Sequence, residues 1–306
     1  MEDNRFTFVQ VDDSLSEHIA APKYSYWGSV FRKFFSSKVA IAMLVISGFV
    51  VLMSIVQPMF SNYDPMIAPN VNNHSMWFIG PSLEYLFGTD NIGNSLFDAV
   101  WSGTRNSLFI SIVATIITTT IGTIVGLFWG FSKRFDAIMI EIYNIIANIP
   151  TTLIAMIMVY ALGGGIWQLI FAVCVTSWVG TAYFIRVQVM IIRDREYNMA
   201  SRCLGTPITK IVFNNVLPYL ISVIMTSVSR DVPAFISYAV FLSYLGVGLG
   251  YGKASLGKLI SNYSPYMTSS PYLFWIPLSI SAILSVSLYI VGQKLADASD
   301  PKTHMN

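Results

Sequence analysis

The chain has 306 residues, 54% of them hydrophobic and only 11% charged, against about 25% charged in an ordinary soluble domain. Its 18 basic and 16 acidic side chains leave a net charge of +2 and are too few to cover a soluble fold of this length, so a soluble globule, a disordered or fibrous chain and a basic nucleic-acid binder are all excluded. Two cysteines, Cys174 and Cys203, supply neither a disulfide framework nor metal-ligand spacing.

What remains is a chain built for lipid. A hydrocarbon core about 30 Å thick needs about 20 mostly apolar residues per helix, because every backbone amide in lipid must be satisfied inside the helix. Six segments reach that length, at 39–60, 107–131, 137–162, 167–192, 216–245 and 273–292. In chain order, 1–38 reads as a cytoplasmic segment and 39–60 as a retained anchor rather than a cleaved signal peptide. Residues 61–103, with Pro65, Pro69 and Pro81, read as an irregular extracellular loop. Residues 104–292 then form a core of five further spans interrupted by a loop at 193–215, and 293–306 form a tail.

Basic residues set the expected orientation, since loops rich in lysine and arginine stay in the cytoplasm. Arg5, Lys23, Arg32, Lys33 and Lys38 precede the first span; Lys133 and Arg134 lie in the next loop of that side. Arg186, Arg193, Arg195, Arg202 and Lys210 follow in and beside the 193–215 loop, and Lys294 and Lys302 lie in the tail. That is fourteen on one side, against two, Lys253 and Lys258, in the opposite loops. Both termini are expected in the cytoplasm.

Within the second span, Ser107, Ser111, Thr115, Thr119, Gly122, Gly126 and Gly130 form one face of small or polar residues. Ser222, Thr226, Ser229, Pro233 and Ser237 do the same in the fifth. Such a stripe either lines a path or lets helices pack closely. Between them, the 193–215 loop carries a short amphipathic helix, expected over 195–204, with Asp194 as its cap, Glu196 in its first turn, Gly205 as its left-handed stop and Pro207 beyond. Tyr197, Ala200 and Leu204 share one face of it, suited to a membrane surface or to a soluble partner. Arg230 and Asp231 stand within the fifth span, where a charge must face protein or water. Neighbours on a helix point about 100° apart, so each is expected to find its partner on another helix or subunit.

Glu196-Tyr197-Asn198-Met199-Ala200-Ser201-Arg202-Cys203-Leu204-Gly205, followed twelve residues later by Leu217-Pro218, resembles the loop of bacterial ABC-importer permease subunits with the form E-A-A, three residues, G, nine residues, I-x-L-P. Met199, Ser201 and Asn215 depart from its Glu, Ala and Ile. Phe87-Gly88-Thr89-Asp90, continued by Gly103-Thr104-Arg105-Asn106-Ser107-Leu108, resembles the start of the oligopeptide and dipeptide permeases of the "C" type. So do Leu242-Ser243-Tyr244-Leu245-Gly246-Val247-Gly248 and Asp297-Ala298-Ser299-Asp300-Pro301-Lys302, with Asn94 and Ser95 in place of Arg-Asp and Ala239 where Glu is frequent.

The resemblance implies an all-α, six-span importer permease of type I fold in a bacterial cell membrane. It implies pairing with a second homologous permease, two cytoplasmic ATPase subunits and an extracellular peptide-binding protein. ATP and magnesium would sit on the ATPase subunits, with no cofactor on this chain, no metal and no nucleic-acid partner. Glu196, Tyr197, Ala200, Ser201, Leu204 and Gly205 would couple to the ATPase, which makes the chain a transport subunit rather than an enzyme. Thr226, Ser229, Arg230, Asp231 and Ser237 are the candidates for the path or its gate.

Other classes fare worse on the same residues. Gly252 to Lys258 matches the spacing of a phosphate-binding loop, but Leu259 stands where a Ser or Thr would hold magnesium. His18, His74 and His304 lie in loops or tails, away from any intramembrane nucleophile. An ion-coupled secondary transporter, with Asp231 as its intramembrane carboxylate, is the alternative from another class; within the family, dipeptides or nickel are alternative cargoes.

Overall fold

A computed structural model describes residues 26–68, 70–250 and 252–299. Arg5, His18, Lys23, Pro69, Lys302, His304 and the end of the tail motif lie outside the described residues. The described chain is helical, with α1 at Tyr26–Ser36, α2 at Lys38–Phe60, α3 at Leu96–Phe131, α4 at Lys133–Ala147, α5 at Thr151–Ala161 and α6 at Ile166–Arg193. Next come α7 at Glu196–Cys203, α8 at Ile208–Ile211, a π-helical turn at Val212–Val216, α9 at Leu217–Tyr244, α10 at Leu256–Tyr263 and α11 at Pro271–Ser299. Five stretches are long and apolar enough to cross a bilayer, and α4 with α5 supplies a sixth if that bent pair is one span.

The boundaries follow local chemistry. Ser37, Ser95, Ser132 and Ser255 each place a hydroxyl at the start of a helix to accept a backbone N–H that has no partner within it. Ser95 thereby starts α3 at Leu96, so the helix takes in the last residues of the 61–103 stretch expected to be loop. α3 has 36 residues, about 54 Å at 1.5 Å per residue, and projects beyond the hydrocarbon. α11 likewise runs on to Ser299 rather than stopping at 292. The expected span at 137–162 is broken: Pro150 has no N–H to continue the helix, and α4 and α5 meet at 80°.

At the end of the bundle where α3 begins, the loop is a built cap. Thr89 Oγ1 donates to the carbonyl of Met76 and accepts the N–H of Ile79. Asp90 accepts from the backbone of Ile92 and Asn94 and from the Tyr263 hydroxyl at 3.0 Å, while Tyr272 donates to the Thr89 carbonyl. Gly88, at φ +80°, leaves room where a Cβ would lie 2.7 Å from the Tyr272 ring. Burial pushes the Asp90 carboxyl up from the ordinary carboxylate range. The cap joins the loop to α10 and α11.

The core is organised around α3 and α6. A Cβ added at Gly122, Gly126 or Gly130 would come within 2.6–2.7 Å of Thr181, Ala182 or Arg186 on α6. Ser107, Ser111, Thr115 and Thr119 of the same stripe are buried, and Ser111 and Thr115 donate back to their own helix. The stripe on α3 therefore serves close packing and not a path. A second notch, at Gly292 of α11, receives Ser229 of α9, where an added Cβ would sit 2.6 Å from the Ser229 carbonyl oxygen.

Replacing Gly126 by Val should cost about 1–3 kcal/mol through overpacking against the Ala182 carbonyl. Gly180→Ala, where nothing lies within 4 Å of an added Cβ in the interior of α6, should carry no packing cost and stabilise by up to about 1 kcal/mol. Thermal unfolding of the purified protein reads both.

Candidate functional site

The α6 to α9 connection is a polar stretch tied down by side-chain hydrogen bonds. α6 ends at Arg193, whose guanidinium donates to the Gly130 carbonyl of α3 at 3.0 Å and grips Asp194 through two bonds of 3.1 and 3.0 Å. That pairing holds the Asp194 carboxyl below its ordinary range. Asp194 is thus engaged in closing α6. The expected cap role passes to Arg195, which occupies the cap position of α7 without a side-chain bond.

Gly205 performs as expected. At φ +74° it donates to the Arg202 carbonyl, while the N–H of Thr206 returns to the Ser201 carbonyl at 3.1 Å. This paired closure is the left-handed ending that glycine favours.

Sequence reasoning missed the mount beneath α7. Asn198 is fully buried, and its amide donates to the Ile192 carbonyl at 3.0 Å. Asn215, in the π turn, donates to Asn198 Oδ1 at 3.2 Å and to Ser201 Oγ at 3.4 Å. The polar pair Asn214-Asn215 inside the otherwise apolar run 211–217 was the available signal. Ser201, expected on the coupling face, is half-buried and faces this mount; it also donates to the Tyr197 carbonyl. Two further contacts steady α7, the Arg202 guanidinium 4.4 Å from the Phe131 ring centre and Tyr197 stacked on Tyr219.

The opposite side of α7 is open. Glu196, Tyr197, Met199, Ala200 and Gly205 are exposed, and Leu204 is 84% exposed. Leu204, Tyr197 and Met199 together make an exposed apolar patch on this side of the helix.

The π turn has a cause. Pro218 cannot donate to the Asn214 carbonyl, and the N–H of Leu217 reaches back five residues to Val212. α9 continues from it, so the mount of α7 is made by the first turn of the helix that carries Arg230 and Asp231. Fifteen residues separate Asn215 from Arg230, about 22 Å along the axis, which sets the pair at membrane depth.

Arg230 and Asp231 do pair with each other, at 3.7 Å, contrary to expectation from their directions. The arginine is long enough to fold back, and its guanidinium also lies 5.6 Å from the Phe184 ring of α6. Asp231 points inward and accepts from the buried Ser227 at 3.1 Å; the Arg230 side chain is 58% exposed. Thr226 is exposed one turn away on the same face as Arg230. Ser229 packs on Gly292, and Ser237 bonds to Ser285 of α11 at 3.2 Å, so these two belong to the contact between α9 and α11. A guanidinium exposed at this depth faces water or another protein, not hydrocarbon.

Comparison with known proteins bears on this geometry. A protein-family model described as binding-protein-dependent transport system inner membrane component matches residues 122–304. A second, described as the N-terminal TM domain of oligopeptide transport permease C, matches residues 25–81. The oligopeptide transport system permease protein AmiD of Streptococcus pneumoniae is 51% identical over 304 residues, covering 99% of each chain. OppC and DppC of Bacillus subtilis, named as oligopeptide and dipeptide transport system permease proteins, are 33% and 31% identical, with 98% of this chain covered and 97% and 93% of theirs. Among solved structures, the methionine ABC transporter MetNI in inward-facing conformations aligns at TM-score 0.52 and 20% identity, over 66% of this chain and 96% of that one. That likeness concerns the fold alone.

Asn215→Leu removes both bonds from the π turn and leaves Asn198 Oδ1 without its donor. Losing one net hydrogen bond of about 1 kcal/mol should raise local opening of α7 about fivefold. Trypsin cleavage after Arg195 and Arg202 under native conditions measures it, with cleavage after Lys133 as the internal reference.

Proposed function

Since this chain belongs to the family of binding-protein-dependent transport inner-membrane components, and is a multi-pass permease subunit of an ABC transport system, we propose that its cargo is oligopeptides and that α7 is the surface on which the ATPase subunits act. Membership implies assembly with a second permease, ATPase subunits and a substrate-binding protein. In finer terms, two ATPases lie in the cytoplasm, a peptide-binding protein delivers cargo from outside, and ATP with magnesium stays on the ATPases. The chain itself performs no catalysis; it supplies a lever and a path.

The oligopeptide reading rests on the 51% identity to AmiD over nearly the whole of both chains. The orientation rests on the fourteen-to-two division of lysine and arginine. The observation that carries the mechanism is the two-sidedness of α7: Tyr197, Ala200 and Leu204 lie open, while Asn198 and Ser201 are tied to Asn215 at the foot of α9. ATP-driven closure of the ATPases displaces that open face, and the tie delivers the displacement to the helix bearing Thr226, Arg230 and Asp231. Nothing in this requires a proton or electron to move. Nucleotide binding need only favour one of two packings over the other, by the difference in its affinity for the two. Arg230 and Thr226 then line the path shared with the second permease, with Asp231 holding the guanidinium in place. A dipeptide cargo is the second reading, supported by the 31% identity to DppC.

Ala200→Glu places a carboxylate on the exposed face of α7, where folding is undisturbed and docking is not. An unpaired charge driven into an interface typically costs 2–5 kcal/mol, so ATP-dependent uptake should fall by about thirtyfold or more. Uptake of a labelled tetrapeptide into vesicles carrying the whole complex checks this, with helix content and membrane insertion as controls. Normal uptake would remove α7 from the mechanism, and preferential uptake of a dipeptide in the wild-type complex would favour the second reading.

A further inference from the structure

At the end of the bundle remote from α7, positive charge is scarce. No lysine or arginine occurs from 61 to 103, and Arg105, Lys253 and Lys258 are the basic residues of that end. Two of these three border one groove. Arg105 and Lys253 stand at its mouth, and Val51 and Ile55 of α2 with Phe109 and Ile112 of α3 form its walls, around a cavity of about 460 Å³. Among the described residues neither cation has an acidic partner.

Depth locates the groove. Arg105 precedes Phe131 by 26 residues on a single unbroken helix, about 39 Å of rise. With Phe131 beside Arg202 at the α7 end and a hydrocarbon core of about 30 Å, Arg105 reaches the far headgroup layer. Phe109 and Ile112, one and two turns closer to the centre, lie at acyl-chain level; both are exposed, Phe109 by 44% and Ile112 by 45%. The groove is therefore apolar at the depth of lipid tails and doubly cationic at the depth of phosphates.

We infer that this groove holds one anionic phospholipid of the leaflet opposite α7, its acyl chain against α2 and α3 and its phosphate between Arg105 and Lys253. The chemistry of the site matches each part of such a molecule. Two unpaired cations ask for at least one negative charge, and a tail-shaped apolar trough below them excludes a small hydrated anion as the main occupant. A bound lipid also lies beside α2, whose outward face is apolar and bare at Val45, Phe49 and Leu52, and against the exposed face of α3 that carries Arg105, Phe109 and Ile112.

The test uses the wild-type complex in vesicles of phosphatidylcholine doped with a trace of phosphatidylglycerol bearing a photoreactive acyl chain. A parallel sample carries the same chain on phosphatidylcholine. Each basic residue near the headgroups favours an anionic lipid about fivefold, so labelling of residues 51–55 and 105–112, read by peptide mass spectrometry, should favour phosphatidylglycerol by about thirtyfold. Arg105→Gln and Lys253→Gln should each reduce that preference by about fivefold, and Arg105→Lys should keep it. Equal labelling by both lipids overturns the inference. So does a groove labelled by neither, because a second permease or another protein then covers it.

Discussion

The tight seam between α3 and α6 is the contact on which the rest of the molecule depends. Three glycines one turn apart remove the side chains that would hold the helices apart, and backbone meets backbone where a Cβ would collide. The last of them, Gly130, does more than make room. Its carbonyl accepts the guanidinium of Arg193, so the residue that permits the close approach also fixes where α6 stops. α7 starts from that point, and its placement at the rim of the bundle follows from the seam. In lipid, where packing and hydrogen bonds replace the hydrophobic drive between helices, such a seam is an economical way to make a rigid spine.

Against this spine, α9 and α11 form a second layer joined by Ser229 in the Gly292 notch and by Ser237 with Ser285. The α4 and α5 pair turns a corner of 80° and shows the outside a ribbon of exposed apolar residues, Ile138, Ile142, Ile145, Leu153 and Ile157 among them. Among the described residues these faces have no partner. A permease that works as one of a pair is expected to leave such surfaces for its mate and for lipid.

Much of this was legible in the sequence. Hydropathy located the spans, Gly205 marked the end of α7, and the motif at 196–205 marked the short helix between α6 and α9. What escaped did so for physical reasons. The break at Pro150 hides inside a window apolar enough to pass as one span. Asn198 and Asn215 meet only because a π turn redirects the second, and no periodicity argument foresees a π turn. Arg230 and Asp231 pair because a flexible arginine overrides the 100° between neighbouring positions. Two of the departures from the family pattern are absorbed locally: Ser95 caps α3 and Asn94 closes the Asp90 turn. Ala239 lies buried in an apolar cluster with Ile110 and Leu242, a place where a carboxylate would need its own partner.

The π turn also fixes an angle. It holds a residue more than α-helical winding would use, so the segment between Gly205 and Pro218 stores an angle as well as a length. Remove one residue there and everything upstream would swing by about 100° against α9, carrying α7 off its seat. Connecting stretches usually forgive insertions and deletions; this one works as a phase setting, and the interval written into the chain is a protractor rather than a ruler.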